Sequence, residues 1–290
     1  MRTIISASRR TDLPAHYYEW LRDALARGQA DVTQPFTGRV HTVSLRDEEV
    51  HTLVLWSKNY ANVLRDLAFW ADRSLYFGFT INDCATLEPG LPPLDARVAQ
   101  LRALAAAFGP QRINWRFDPV VSWSVIAHRM KATSGEHVSG GDSCGNRRDN
   151  LGGFQRLADA VAEAGVRRCT FSFMCHYRKV TKRGERLGIA FHDPPSERKR
   201  EIAAHLAAEC QARGMVLLNC CNEGLEGIDN LERGRCIDGA LLAQLAGEPC
   251  SLAPDKSQRP HCGCTVSRDI GSYSMTCPHA CWYCYANPKV

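Results

Sequence analysis

The strongest constraint on the fold is a recurring pair: a short run dominated by apolar residues, then a helical stretch. TIISAS (3–8), TLVLW (52–56), LYFGFTI (75–81), RINWRF (112–117), RCTFSFM (168–174) and MVLLNC (215–220) are largely continuous rather than alternating in polarity. Strands covered on both faces read this way. Helical spacing of apolar residues falls at about 14–27, 60–71, 94–108, 154–164 and 195–213. A further short strand is expected at 40–45 (VHTVSL). Six or seven β–loop–α units predict a parallel α/β barrel, full or partial, over an open doubly wound sheet. No G-x-G-x-x-G follows the first run, which removes the dinucleotide-binding form of the open sheet. A chain of 290 residues suits one barrel domain.

Composition narrows the setting. Hydrophobic content of 44% and charged content of 23% support a globular core. No apolar run approaches the roughly 18–20 residues that span a bilayer, so no membrane partner is expected. The N-terminus lacks a signal-peptide core, and the cytoplasm is the expected location. In that compartment fourteen cysteines point to metal binding or redox chemistry rather than disulfides. The net charge of +5 suits small anionic ligands and falls short of a dedicated nucleic-acid binder.

The cysteines concentrate in 262–290, read as a C-terminal cluster-binding segment. Cys277, Cys281 and Cys284 have the spacing C-x3-C-x2-C, and Cys262 and Cys264 precede them. Three thiolates on a 4Fe–4S cluster leave one iron open to an outside ligand. Cys262 and Cys264 then need partners. With Cys236 and Cys221 (or Cys220) they make a four-thiolate set for a second 4Fe–4S cluster or a zinc ion. Cys84, Cys144, Cys169, Cys175, Cys210 and Cys250 lack paired spacing and read as ordinary thiols.

Active-site groups of parallel barrels stand at the C-terminal ends of the strands. Those ends carry Arg9, Arg10 and Asp12, then Lys58 and Asn59, Asn82, Arg116 and Asp118, Ser172, and Glu223. Arg9, Arg10, Asp12, Lys58, Arg116 and Asp118 form the candidate catalytic set. The cations suit a carboxylate or phosphate. Asp12 could equally cap a helix before Pro14, and Asp118 could serve only to pair with Arg116. The basic stretch 176–186 could face phosphate or nucleic acid, or simply be a solvated loop. The glycine-rich stretch 133–153 is expected to be a flexible loop or lid.

The run CPHACWYCYA, with Tyr283 before the last cysteine, resembles the signature of the radical S-adenosylmethionine superfamily. It is most similar to the cluster loop of the spore photoproduct lyase branch. The resemblance implies a full or partial α/β barrel, a 4Fe–4S cluster on Cys277, Cys281 and Cys284, and S-adenosylmethionine as cofactor. It also implies a reductant such as flavodoxin or ferredoxin, and a 5′-deoxyadenosyl radical acting on a small-molecule or peptide substrate. Tyr283 is then expected to pack against the adenine, with Asn82, Ser172 and Glu223 as further cofactor contacts. In that superfamily the cysteine loop follows the first strand; here it comes last. Circular permutation reconciles the two, with 268–276 as the strand that carries the loop. No Gly-Gly-Glu stands at 8–12, where SRRTD is found, so that cofactor contact does not carry over. The whole chain also resembles an uncharacterised bacterial family with SASRRTD near the start, WRFDP in the middle and C-x-C…C-x3-C-x2-CYAN at the end. Two other functions fit the same motifs: a non-radical iron–sulfur or zinc protein, and a DNA-lesion lyase.

Overall fold

The computed structural model describes residues 1–34, 37–126 and 147–290. Its framework is one eight-stranded, all-parallel sheet. Starting from one edge, the strands are Arg268–Asp269, Thr3–Ala7, Val50–Ser57, Leu75–Thr80, Ile113–Val120, Arg168–Phe173, Val216–Asn219 and Leu231–Arg233. This is chain order with the last strand moved to the front. Ile5 and Ser6 pair in register with Arg268 and Asp269.

Residues along each strand alternate between two apolar layers. Ile5, Leu53, Leu55, Phe77, Trp115, Phe171 and Leu217 face a large core shared with the outer helices. Those helices include Tyr18–Arg27, Leu94–Phe108, Phe154–Glu163 and Ser196–Gln211. Ile4, Val54 and Tyr76 face the opposite way, onto the helix Gly239–Ala246 and the segment around Cys264. Both faces are therefore covered, which is why the strands lack polar alternation.

The expected barrel does not close. The edge strands Leu231–Arg233 and Arg268–Asp269 do not pair with each other. The segment between them turns inward: the Thr265 N–H donates to the Ile237 carbonyl at 2.9 Å, so these residues line the inner face instead of extending the sheet.

Other expectations shift in detail. The strand at 40–45 forms as Val40–Ser44 but pairs antiparallel with Gln29–Thr33, outside the main sheet. The helix at 14–27 divides into Leu13–His16 and Tyr18–Arg27, because Tyr17 leaves the helical region at φ −127°, ψ 36°. The helix at 60–71 likewise divides at Asp66. Only Arg268–Asp269 of 268–276 is extended. Of the stretch 133–153, residues 133–146, Cys144 among them, lie outside the described residues; 147–153 hold the short strand Arg148–Asp149 and a turn of 3-10 helix. No helix of the described residues is long and apolar enough to cross a membrane.

Candidate metal-binding cavity

The C-terminal ends of the strands converge on one cavity of about 920 Å³. Cavities that hold small molecules run from about 300 to 1,000 Å³. Both predicted cysteine sets line it, together with Arg9, Arg10, Asp12, Lys58, Arg116, Asp118, Ser172 and Tyr283. The strand Ile113–Val120 shows how the sequence achieves this. In WRFDP, Trp115 and Phe117 turn into the helical core while Arg116 and Asp118 turn to the cavity. Gly78 on the neighbouring strand makes room: a Cβ there would lie 2.9 Å from the Trp56 ring and 3.4 Å from Arg116 Cδ.

Arg116 organises one side. Its guanidinium donates to the Asp118 carboxylate and to Cys236 Sγ at 2.7 Å, and it stacks over Trp56 at 5.1 Å. Ser172 donates to the other Asp118 oxygen. Asp118 thus pairs with Arg116, as the structural alternative has it. Arg9 also lies over the Trp56 ring, at 5.5 Å, and meets Asp255 at 3.7 Å. Its Nη2 is buried without a hydrogen-bond partner. Arg10 donates to the Gly271 carbonyl at 2.9 Å, tying the first strand's loop to the segment that leads into the cysteine loop. Asp269 takes hydrogen bonds from Ser6, Ser8 and the Arg9 and Gly271 N–H groups at 2.6–3.0 Å.

The loop with Cys277, Cys281 and Cys284 is held from several directions. Asp12 caps the helix Leu13–His16 through the Ala15 N–H (3.0 Å). It also accepts from Ser57 (2.8 Å), the Lys58 N–H (2.9 Å) and His279 Nε2 (2.8 Å). Burial alone would raise the Asp12 carboxyl; the His279 ring and these donors hold it below its ordinary value. Gly90 passes so close to the loop that a Cβ would lie 2.4 Å from the Pro278 carbonyl oxygen. The Trp282 N–H donates to the Leu87 carbonyl (2.9 Å), and Ala280 turns the C-x3-C segment at φ +54°.

The basic stretch 176–186 is not a solvated loop. Most of it forms the helix Arg178–Arg186, and two of its cations reach the cysteine loop. Arg183 donates to the carbonyls of Trp282 (2.9 Å) and Cys284 (2.7 Å), and Lys179 to that of Ala286 (3.3 Å).

Beneath the loop lies a buried ionic network. Lys58 Nζ is 2.5 Å from Glu88 Oε1 and 2.9 Å from the Tyr283 hydroxyl. That hydroxyl donates to Glu88, and Asn82 Nδ2 reaches both groups at 3.1–3.2 Å. Arg97 stands 3.6 Å from the second Glu88 oxygen. Burial alone would raise Glu88, but Lys58, then Tyr283 and Arg97, hold it below the ordinary carboxylate value. Burial alone would lower Lys58; Glu88 holds it above its ordinary value. Tyr283 is pushed well up by burial and by Glu88. Glu88 and Arg97 escaped the sequence reading. The signal for Arg97 was there: it interrupts the apolar stripe Leu94, Leu101, Leu104 of its helix.

Two predicted positions lie apart. Asn82 is fully buried and serves the Glu88 network, so it does not line the cavity. Glu223 is exposed, pairs with His261 at 3.0 Å and also stands outside the cavity.

In each set a backbone N–H donates to one cysteine sulfur. The Ala286 N–H donates to Cys284 Sγ at 3.3 Å and the Ile237 N–H to Cys264 Sγ at 3.4 Å; such bonds favour sulfur carrying negative charge. In the first set burial pushes Cys277 up to about 12 and holds Cys281 well above its ordinary value, so both stand as protonated thiols. In the second, Cys220 joins the four expected thiols, with its Sγ 3.5 Å from that of Cys236. A third grouping was not foreseen. His16, Cys277 and His279 offer ligand atoms all within 4.8 Å of one another. Of the remaining described cysteines, Cys169 and Cys210 sit in the helical core, Cys84 under the loop and Cys250 against the Gly239 carbonyl, while Cys175 lines the cavity and accepts from Arg259.

A comparison with curated proteins finds no match. The domain of unknown function DUF1848 matches residues 4–286, which takes in the first strand, the WRFDP segment and every cysteine described above. The chain belongs to the DUF1848 family.

Proposed function

We propose that the chain is an iron–sulfur enzyme of the radical S-adenosylmethionine type, built on a circularly permuted partial barrel. One observation carries the reading. Cys277, Cys281 and Cys284 line one cavity at the C-terminal end of a parallel sheet, beside the strand that pairs with Thr3–Ala7. Bound there, a 4Fe–4S cluster with three protein thiolates supplies an open iron for the amino and carboxylate groups of S-adenosylmethionine, and the electron for its cleavage to a 5′-deoxyadenosyl radical. The chain's own residues supply the rest. Arg9, with Nη2 free, offers a charged donor to a carboxylate. Lys58, Glu88 and Tyr283 fix the loop from below, Arg183 holds its carbonyls, and Asp12 orients His279. The Arg116, Asp118 and Ser172 group faces the space left for a small-molecule or peptide substrate. Electrons would come from a flavodoxin- or ferredoxin-type donor.

The test is anaerobic reconstitution, iron and sulfide analysis, then reduction in the presence of S-adenosylmethionine. The expected product is 5′-deoxyadenosine, lost on Cys281→Ala. A fully loaded, reduced protein that cleaves nothing overturns the reading.

The grouping of His16, Cys277 and His279 favours one alternative, a non-radical zinc protein. His and Cys suit zinc, and Asp12 behind His279 is a familiar outer partner of a metal-bound imidazole. Zinc without iron or sulfide, in protein handled anaerobically throughout, selects it.

A further inference from the structure

We propose that Cys220, Cys221, Cys236, Cys262 and Cys264 hold a second soft-metal centre, separate from the 277–284 loop and opening on the same cavity. The inference stands independently of the radical reading.

The five cysteines come from three chain segments and line one stretch of the cavity. Cys236 Sγ lies 3.5 Å from Cys220 Sγ. Cys221, Cys262 and Cys264 lie near enough to this pair and to one another to influence each other's protonation. A single buried cysteine is a small hydrophobe, but five brought together find chiefly one another as S–H partners. The backbone takes unusual turns to gather them. Cys221 adopts φ +61° and His261, beside Cys262, φ +64°, a region that non-glycine residues seldom enter.

The surroundings are arranged for negative sulfur. Arg116 Nη1 donates to Cys236 at 2.7 Å, and the Ile237 N–H donates to Cys264 at 3.4 Å. Arg9 lies close enough to Cys264 and Cys236, and Arg259 to Cys221 and Cys220, for charge to be felt. Cations beside gathered thiols match a tetrathiolate centre, whose net charge is negative for zinc and for a 4Fe–4S cluster alike. All five cysteines line the cavity. Four thiolates complete either centre; the fifth is surplus, and the adjacent pair Cys220 and Cys221 is where the surplus falls.

The test uses the full chain with Cys277, Cys281 and Cys284 all replaced by alanine, purified and reconstituted anaerobically. Retained iron and sulfide with an iron–sulfur spectrum, or retained zinc near one per chain, supports the centre, and the two results decide which metal it takes. A variant with wild-type circular dichroism that holds neither overturns it. Should that variant not fold, Cys236→Ser with Cys264→Ser in the otherwise intact chain gives the converse. Bound metal is expected to fall by one centre, relative to the parent, with the spectroscopic signal of the loop's own centre retained. Unchanged metal content in that variant overturns the proposal. A loop that never loads metal would show as equal metal content in the parent and the triple-alanine variant, so the two readings fail separately.

Discussion

His279 Nε2 lies 2.8 Å from the Asp12 carboxylate, joining the loop after the first strand to the middle of the C-x3-C-x2-C segment across 267 positions of sequence. The same carboxylate caps a helix and receives the Lys58 N–H. Asp12→Ala removes an N-cap, worth about 1 kcal/mol, and leaves buried donors unpaired at about 1–3 kcal/mol. Urea unfolding should show a loss of about 2–4 kcal/mol, with Asp12→Asn losing less because its amide oxygen still accepts. Equal loss in both variants would show that charge, not hydrogen-bond acceptance, is what matters at this position.

Lys58 and Glu88 form a buried pair, with side chains 16% and 0% exposed. Lys58→Met strands the carboxylate and should cost about 3–5 kcal/mol. Lys58→Met with Glu88→Gln should recover part of that loss, because the Lys58 and Glu88 charges go together while Arg97, 3.6 Å from Glu88, loses its carboxylate. The readout is a double-mutant cycle by chemical denaturation; additive losses would mean the pair does not couple.

The same pair predicts a pH profile. Glu88 sits below its ordinary 4.5 in the fold, so the unfolded chain binds more protons in acid. Its contribution is complete above about 4.5 and falls away as pH drops through the lower folded value. Lys58 sits above its ordinary 10.5, so its contribution is complete below that value and is lost as pH rises through the higher folded one. Glu88→Gln should flatten the acid limb of stability against pH, measured by denaturant midpoints from pH 3 to 7 (roughly the carboxylate range). An unchanged acid limb would assign acid unfolding to other carboxylates.

Arg183 binds two carbonyls of the cysteine loop. Arg183→Ala should loosen residues 281–286, seen as faster amide exchange there. The exchange of Leu94–Phe108 should stay as in the parent. Uniform acceleration throughout the chain would point to global destabilisation instead.

Cys220 and Cys221 are adjacent and both belong to the second thiol set. Cys220→Ala or Cys221→Ala alone should leave the second centre loaded, and the double substitution should empty it. Metal content per chain is the readout. Loss from one single substitution would name that cysteine as an obligatory ligand.

How far these features were legible in the sequence depends on how local their cause is. The strands Leu75–Thr80 and Arg168–Phe173 announce themselves, because burial on both faces demands apolar runs. The strand Leu231–Arg233 does not: three residues at an edge carry no pattern. The C-x3-C-x2-C loop is visible by spacing, and the structure brings Cys221, Cys236, Cys262 and Cys264 to the same cavity, Cys220 with them. The choice between Cys220 and Cys221 dissolves in the structure, since the left-handed turn at Cys221 brings both to the cavity. Glu88 was hidden. It stands in a polar, proline-rich turn, and what gives it meaning, the Tyr283 hydroxyl and Lys58, lies 195 and 30 positions away. The basic stretch 176–186 left open an outside anion or plain solvation, because sequence shows charge but not direction. The acceptors of Lys179 and Arg183 are carbonyls about a hundred residues further on.

The placement of Arg268–Asp269 beside Thr3–Ala7 sets the order in which the molecule can be finished. As the chain is synthesised, the strands from Thr3–Ala7 to Val216–Asn219 emerge first and already hold most of the residues of the helical core. The outer edge of Thr3–Ala7 stays unpaired until residue 269 has been made. The cysteine loop then docks onto a surface that is already folded. Closing a gap of more than 260 residues is slow when the chain is loose, but it becomes a local event once the sheet exists. The thiols of 277–284 are therefore the last part of the cavity to arrive, and the loop that carries them is a late addition rather than a nucleus for folding.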